Sequence, residues 1–233
     1  MHTLFAVTAL AVVCLLLMAS AQTASAVPVL QLGVPGGSYD TVTESWTTAA
    51  DPFTLQVVGA SHNGSVVQIN DLRLVVAVYD AWWQAGGSVT VTGPGWESGV
   101  TLSDWTLGQP EGLAPHGVYP SRYAVLPLPG MDLETGTTPV TDLVSGEGND
   151  EGVIYEYQIS YAGLGGVHAD LVGETLKKNG HVQQVFAPYS HDVNAFGGAT
   201  DFGGGGDDPV AEPSVVLLLG MALMRLAARS RRA

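Results

Sequence analysis

Apolar positions in the middle of this chain recur with a period of two. Leu72, Leu74, Val76 and Val78 alternate with Arg73, Val75, Ala77 and Tyr79. Val153, Tyr155, Tyr157, Ile159 and Tyr161 alternate with Ile154, Glu156, Gln158 and Ser160, giving one apolar-aromatic face and one mostly polar face. That alternation predicts half-buried β-strands. Shorter strands are expected at residues 29–34, 53–58, 88–92, 123–128, 167–176 and 181–187. The last two flank Lys178-Asn179-Gly180, and an Asn-Gly pair favours the positive φ angles of a tight hairpin turn. Gly and Pro punctuate the other runs, as at Pro35-Gly36-Gly37, Asn63-Gly64, Gly93-Pro94-Gly95 and Leu128-Pro129-Gly130, where turns need their special backbone angles. No long stripe with a 3.6-residue period competes. The pattern predicts an all-β fold, an antiparallel β-sandwich of jelly-roll type.

The two ends break this pattern. Residues 4–18 form an apolar run that closes on Ala24-Ser25-Ala26. It has the length of a signal-peptide core, and Ala24 and Ala26 fit the small-residue positions a signal peptidase requires. Cleavage is expected after Ala26, although the segment before the run holds His2 and no Lys or Arg. Residues 203–208, four glycines and two aspartates, read as a flexible linker. A second apolar run follows at residues 215–224, short for a span of about 20 residues. The expected organisation is a signal helix over 1–26, a β-sandwich over 27–196, a linker over 197–209, and a short apolar helical segment with its flanks over 210–233.

Composition narrows the function. The single cysteine, Cys14, lies in the signal, so an exported mature chain relies on its packed core. Before Pro213, 22 acids face only Arg73, Arg122, Lys177 and Lys178, a net charge of −18. So acidic a body excludes nucleic acid or anionic lipid as an electrostatic partner. Arg225, Arg229, Arg231 and Arg232 all follow it and are expected on the cytoplasmic side of a membrane.

The order Val210-Ala211-Glu212-Pro213-Ser214, apolar run, arginines resembles the PEP-CTERM sorting signal of Gram-negative bacteria, with Ala211 in place of a usual proline. The resemblance implies recognition by an exosortase-type sorting enzyme, with Glu212, Pro213, Ser214, Arg229, Arg231 and Arg232 as determinants. It implies transient residence in the inner membrane, removal of the tail, and delivery to the cell surface or beyond. The body is similar to the choice-of-anchor N proteins through Val29-Leu30-Gln31-Leu32, Gly37-Ser38-Tyr39-Asp40, Asp51-Pro52-Phe53-Thr54-Leu55, Pro115-His116-Gly117-Val118-Tyr119-Pro120 and Phe186-Ala187-Pro188-Tyr189-Ser190-His191-Asp192. That family implies secretion with variable anchoring, and it supplies no catalytic residue.

Three groups of residues carry candidate chemistry. His116, His191 and Asp192, brought together, would make a transition-metal site or an acid–base pair; proline-flanked loop histidines equally cap strand ends. Glu147-Gly148-Asn149-Asp150-Glu151, and Asp201 with Asp207 and Asp208, concentrate oxygen ligands of the kind calcium uses, or simply form solvated turns. Trp82-Trp83, Trp96 and Trp105 would stack on sugar faces where exposed and fill the core where not. The sequence therefore predicts an exported, surface-sorted structural or adhesive protein of the envelope or extracellular matrix. It shows no evident catalysis and no required cofactor, with calcium left open beside the transition-metal reading of His116, His191 and Asp192. The alternatives are a carbohydrate-binding module directed at exopolysaccharide and, behind it, a secreted hydrolase using His191 and Asp192.

Overall fold

The computed structural model describes residues 27–113, 118–187 and 192–196. Ala24, Ala26, Glu212, Pro213, Ser214 and the terminal arginines, together with both expected terminal helices, lie outside them. The described chain is all-β. Its first strands are β1 (Leu30–Gly33), β2 (Ser38–Asp40), β3 (Ser45–Thr48), β4 (Phe53–Ala60) and β5 (Val66–Val78). Next come β6 (Ser88–Gly93), β7 (Trp96–Leu102), β8 (Thr106–Gly108), β9 (Ser121–Pro127) and β10 (Met131–Asp132). The last are β11 (Thr138–Val140), β12 (Asp150–Ala162), β13 (Gly166–Lys177), β14 (Val182–Phe186) and β15 (Asp192–Phe196).

They form a β-sandwich. One sheet runs β1-β4-β12-β6-β7, with β11 on β12; the other runs β2-β3-β15-β13-β5-β9-β8, with β10 on β5 and β14 on β13. The chain crosses between the sheets repeatedly, as a jelly roll does. Every pairing is antiparallel except β15 with β3, which is parallel. The two strongest alternations in the sequence become the centre of the sandwich. Leu74, Val76 and Val78 of β5 and Tyr157 and Ile159 of β12 all lie in one buried cluster spanning both sheets. Each fully buried side chain of this size contributes about 1.5–3 kcal/mol relative to exposure.

Register explains where simple alternation stops. Ile69 and Leu72 are both in the core, three positions apart rather than two. The ladder with β13 shifts between Val172 and Glu174, which face Arg73 and Asn70. Asp71 takes φ +46° at the bulge, which resets the parity of β5. The hairpin between β13 and β14 has a three-residue loop, closed by the Lys177 N–H donating to the His181 carbonyl at 2.9 Å. Gly180 alone in that loop takes the left-handed angle, φ +79°, the arrangement of a type I turn followed by glycine.

The opposite face of β5, Val75 and Ala77, is buried as well, with exposures of 2% and 0%. Val118 and Tyr119, just before β9, help to cover that outer surface of the second sheet. Val118 is buried, and the Tyr119 hydroxyl donates to Asp170 Oδ2 of β13 at 2.7 Å. The outer surface of the first sheet is covered in part by Val140 and Leu143, packed against Val27, Val58 and Ala60.

Candidate functional site

The tryptophans divide by role. Trp82, in the turn after β5, is 6% exposed and belongs to the core. Trp96, at the start of β7, donates its indole N–H to the Pro127 carbonyl at 3.0 Å and so fastens the β6–β7 hairpin to the end of β9. Trp83 and Trp105 are half-buried and meet edge to face, centroids 5.8 Å apart and planes at 75°. They belong to different segments, the turn after β5 and the β7–β8 connection. The Trp105 indole N–H donates to the Gly87 carbonyl at 3.0 Å, which holds the two segments together.

Arg122, second residue of β9, completes this corner. Its guanidinium lies over the Trp83 ring, Cζ 4.7 Å from the centroid, a cation–π contact that fixes its plane. The three side chains, with Ser103, Asp104 and Thr106, line an open depression of about 420 Å³. Ser103, Asp104 and Thr106 are exposed. The depression therefore offers indole surface, hydroxyls, a carboxylate and a guanidinium within one shallow bowl. Of its members, the sequence pointed to Trp83 and Trp105. Arg122 was counted there only as one of four cations. The available signal was its isolation, a single arginine opening a strand in an acidic body.

A second cluster is closed to solvent. On β13, Val167, Ala169 and Leu171 face the core, so His168 and Asp170 point to the outer surface of the second sheet. Both are nonetheless buried, at 0% and 1% exposure. His168 Nε2 lies 3.2 Å from Asp170 Oδ1. The Tyr119 hydroxyl bonds the other carboxylate oxygen, and Tyr79 meets the imidazole edge to face at 6.0 Å. A buried pair of this kind depends on each partner for its polar contacts. It acts as a fastener that ties the approach to β9, and hence Arg122, onto β13.

The histidine pair expected from sequence cannot be placed. His116 and His191 lie outside the described residues, and Asp192 is placed only as a backbone position at the start of β15. Its strand neighbour Asn194 stands opposite His168 in the ladder. Among the described residues, no three His, Cys, Asp or Glu side chains converge as a metal site would need.

The acidic stretch 147–151 resolves into a turn lock. Asp150 Oδ1 accepts from the Ser61 hydroxyl and the Glu151 N–H, both at 2.8 Å, and Oδ2 accepts from the Asn63 N–H at 3.0 Å. The locked turn has His62 and Asn63 at φ +50° and +57°, angles that cost non-glycine residues about 1–2 kcal/mol each. Asn63-Gly64-Ser65 is thus a turn, as its composition suggested. Asp201, Asp207 and Asp208 lie outside the described residues.

Burial pushes the Asp150 carboxyl up, but the bonds from Ser61 and from the Asn63, Glu151 and His62 backbone outweigh it, leaving the group below its ordinary value of 3.8. A depressed carboxyl stabilises the fold above its unfolded value and loses that contribution as pH falls through its folded value. Asp150→Asn is therefore expected to lower the melting temperature by a few degrees at pH 6 and by less near pH 2.5. Thermal unfolding at the two pH values checks this, and an equal loss at both would remove the carboxylate from the account.

Comparison with known proteins adds little. No known family model matches the chain, and no curated protein matches it. A solved structure described as "AvmM Catalyzes Macrocyclization in Alchivemycin A Biosynthesis" is similar over 75% of this chain and 93% of that one, at 9% identity and a TM-score of 0.35. A likeness that distant carries no argument about function.

Proposed function

We propose that this is an exported, surface-sorted adhesive protein of the envelope or extracellular matrix, working by binding saccharide rather than by catalysis. The observation that carries the binding is the Trp83–Trp105 corner. Trp105, half-open to solvent, offers apolar surface for a sugar ring beside Trp83, whose ring is capped by Arg122, and the exposed Ser103, Asp104 and Thr106 match a ring of hydroxyls. Export and sorting rest on the terminal segments: Ala24 and Ala26 for signal peptidase, and Glu212, Pro213, Ser214, Arg229, Arg231 and Arg232 for an exosortase.

The binding is tested by retardation of the full-length protein in native gels containing bacterial exopolysaccharide. Trp83→Ala and Trp105→Ala are each expected to weaken retardation about tenfold, the worth of one ring-stacking contact, and to lower the melting temperature less than Trp82→Ala does. Retardation unaffected by either substitution, or absent from the parent, would overturn the reading. Mass analysis of the protein recovered from the cell surface tests the sorting: ends at Val27 and within residues 210–214 are expected, and an intact tail would count against exosortase processing.

A further inference from the structure

We infer that the Trp83–Trp105 depression selects acidic saccharide, with Arg122 reading a carboxylate carried on the sugar. This rests on the saccharide-binding reading and narrows it to uronate-containing chains.

The argument begins with what Arg122 lacks. Before Pro213 the chain holds four cations and 22 acids, so an arginine has acids in abundance to pair with. The other arginine of the sandwich does so: Arg73 Nε lies 3.4 Å from Asp71 Oδ2. Arg122 has no carboxylate within ion-pair distance among the described residues, although Asp104 lines the same depression. Its Nε, like that of Arg73, is buried without a hydrogen-bond partner, so the difference between the two is the missing ion pair. The guanidinium charge is thus left without a carboxylate of its own, and the side chain lines the depression where a carboxylate on a ligand would meet it.

The geometry suits that acceptor. Contact with the Trp83 ring restrains the guanidinium before any ligand arrives, so less freedom is lost on binding. A planar fork matches a planar carboxylate through two parallel bonds. The indoles beside it would take the sugar ring that carries the carboxylate. Asp104 and the acidity of the whole body act in the opposite sense, repelling polyanions that lack the ring contacts. The site therefore favours a carboxylate on a sugar over anionic charge in general.

The test is retardation of the full-length protein in gels containing polygalacturonate or alginate, each beside its carboxyl-reduced counterpart. These share ring and linkage and differ only in the charged group. Parent protein is expected to bind the acidic forms about tenfold or more tightly than the reduced ones, the scale of a charge-assisted hydrogen bond. Arg122→Met, which keeps an apolar stem over Trp83, should bring the acidic forms down to the reduced level, and Arg122→Lys should restore part of the difference. Equal retardation by acidic and reduced chains overturns the carboxylate inference while the saccharide reading stands. Retardation by neither overturns both. A matching loss on both forms in Arg122→Met would show Arg122 to be wall rather than reader. If that variant fails to fold, the parent's acidic-to-reduced ratio still decides.

Discussion

Asp170→Ala is expected to destabilise the domain by about 3–5 kcal/mol, the usual cost of removing one partner from a buried polar pair. The substitution removes both carboxylate oxygens from a site closed to solvent. His168, at 0% exposure, loses the oxygen 3.2 Å from its Nε2, and the Tyr119 hydroxyl loses its 2.7 Å acceptor. Asp170→Asn keeps an oxygen for Tyr119 and is expected to cost markedly less. Tyr119→Phe deletes a single bond and should cost about 1–2 kcal/mol. Because Tyr119 and Asp170 share that bond, the double variant Tyr119→Phe/Asp170→Ala should cost less than the sum of its parts. Urea midpoints at unchanged slope measure all four, and a loss below about 1 kcal/mol for Asp170→Ala would mean that the cluster does not fasten the sheet. A functional consequence follows from the chain's path. Tyr119 precedes Arg122 by three positions, so a released Tyr119 frees the start of β9 and the guanidinium over Trp83. Asp170→Ala should therefore weaken saccharide binding at temperatures where the variant is still folded, although the residue touches no ligand.

The parts of this fold that were legible in the sequence are those where one periodicity acts alone. β12, and β5 after its bulge, carry an apolar set at every second position because one face meets the opposite sheet, and those sets are found in the core. Seven elements, β2, β3, β7, β8, β10, β11 and β15, gave no comparable signal. Most are two to five residues long, too short for an alternation to show. The longer β7 carries Trp96, Glu97, Ser98 and Gly99 at an exposed edge, where neither face is wholly apolar. β13 lies where it was expected, at Gly166–Lys177, but its burial on both faces was not legible. Its whole first half is buried, so Val167, Ala169 and Leu171 mark one face while His168 and Asp170 on the other look like surface residues. Their burial depends on Tyr119, nearly fifty positions earlier, and a contact at that separation leaves no local trace. The same holds for Arg122 over Trp83. The sequence held both residues, but only the β5–β9 pairing, with Val78 opposite Arg122, brings the strand start beside the turn that carries the ring. The acidic loop left two readings open because composition counts carboxylates without their donors. Asp150 has Ser61, Asn63 and Glu151 as donors, and its two oxygens are already engaged.

Trp82→Ala is expected to cost about 3–5 kcal/mol, while the same change one residue later costs less stability and much binding. The contrast follows from the turn that carries both residues. Trp82 and Trp83 N–H groups both donate to the Tyr79 carbonyl, at 2.8 and 3.0 Å, so the chain coils tightly after β5 and sends adjacent indoles in different directions. Trp82 enters the end of the sandwich, 6% exposed, and meets Tyr79 edge to face at 4.5 Å. Its carbonyl accepts from the Gly165 N–H at 2.9 Å. A Cβ on Gly165 would come within 3.2 Å of Trp82 atoms, so the β12–β13 turn is packed directly on this residue. Truncation would leave a void between two connections that have little room to collapse, and the cost of such voids grows with their volume. Trp82→Phe, which keeps most of the apolar contact, should lose less than half as much. Equilibrium unfolding of Trp82→Ala, Trp82→Phe and Trp83→Ala side by side decides the matter. Comparable losses for Trp82→Ala and Trp83→Ala would make Trp83 a core residue, and the proposed binding corner would then lack the ring on which Arg122 is stacked.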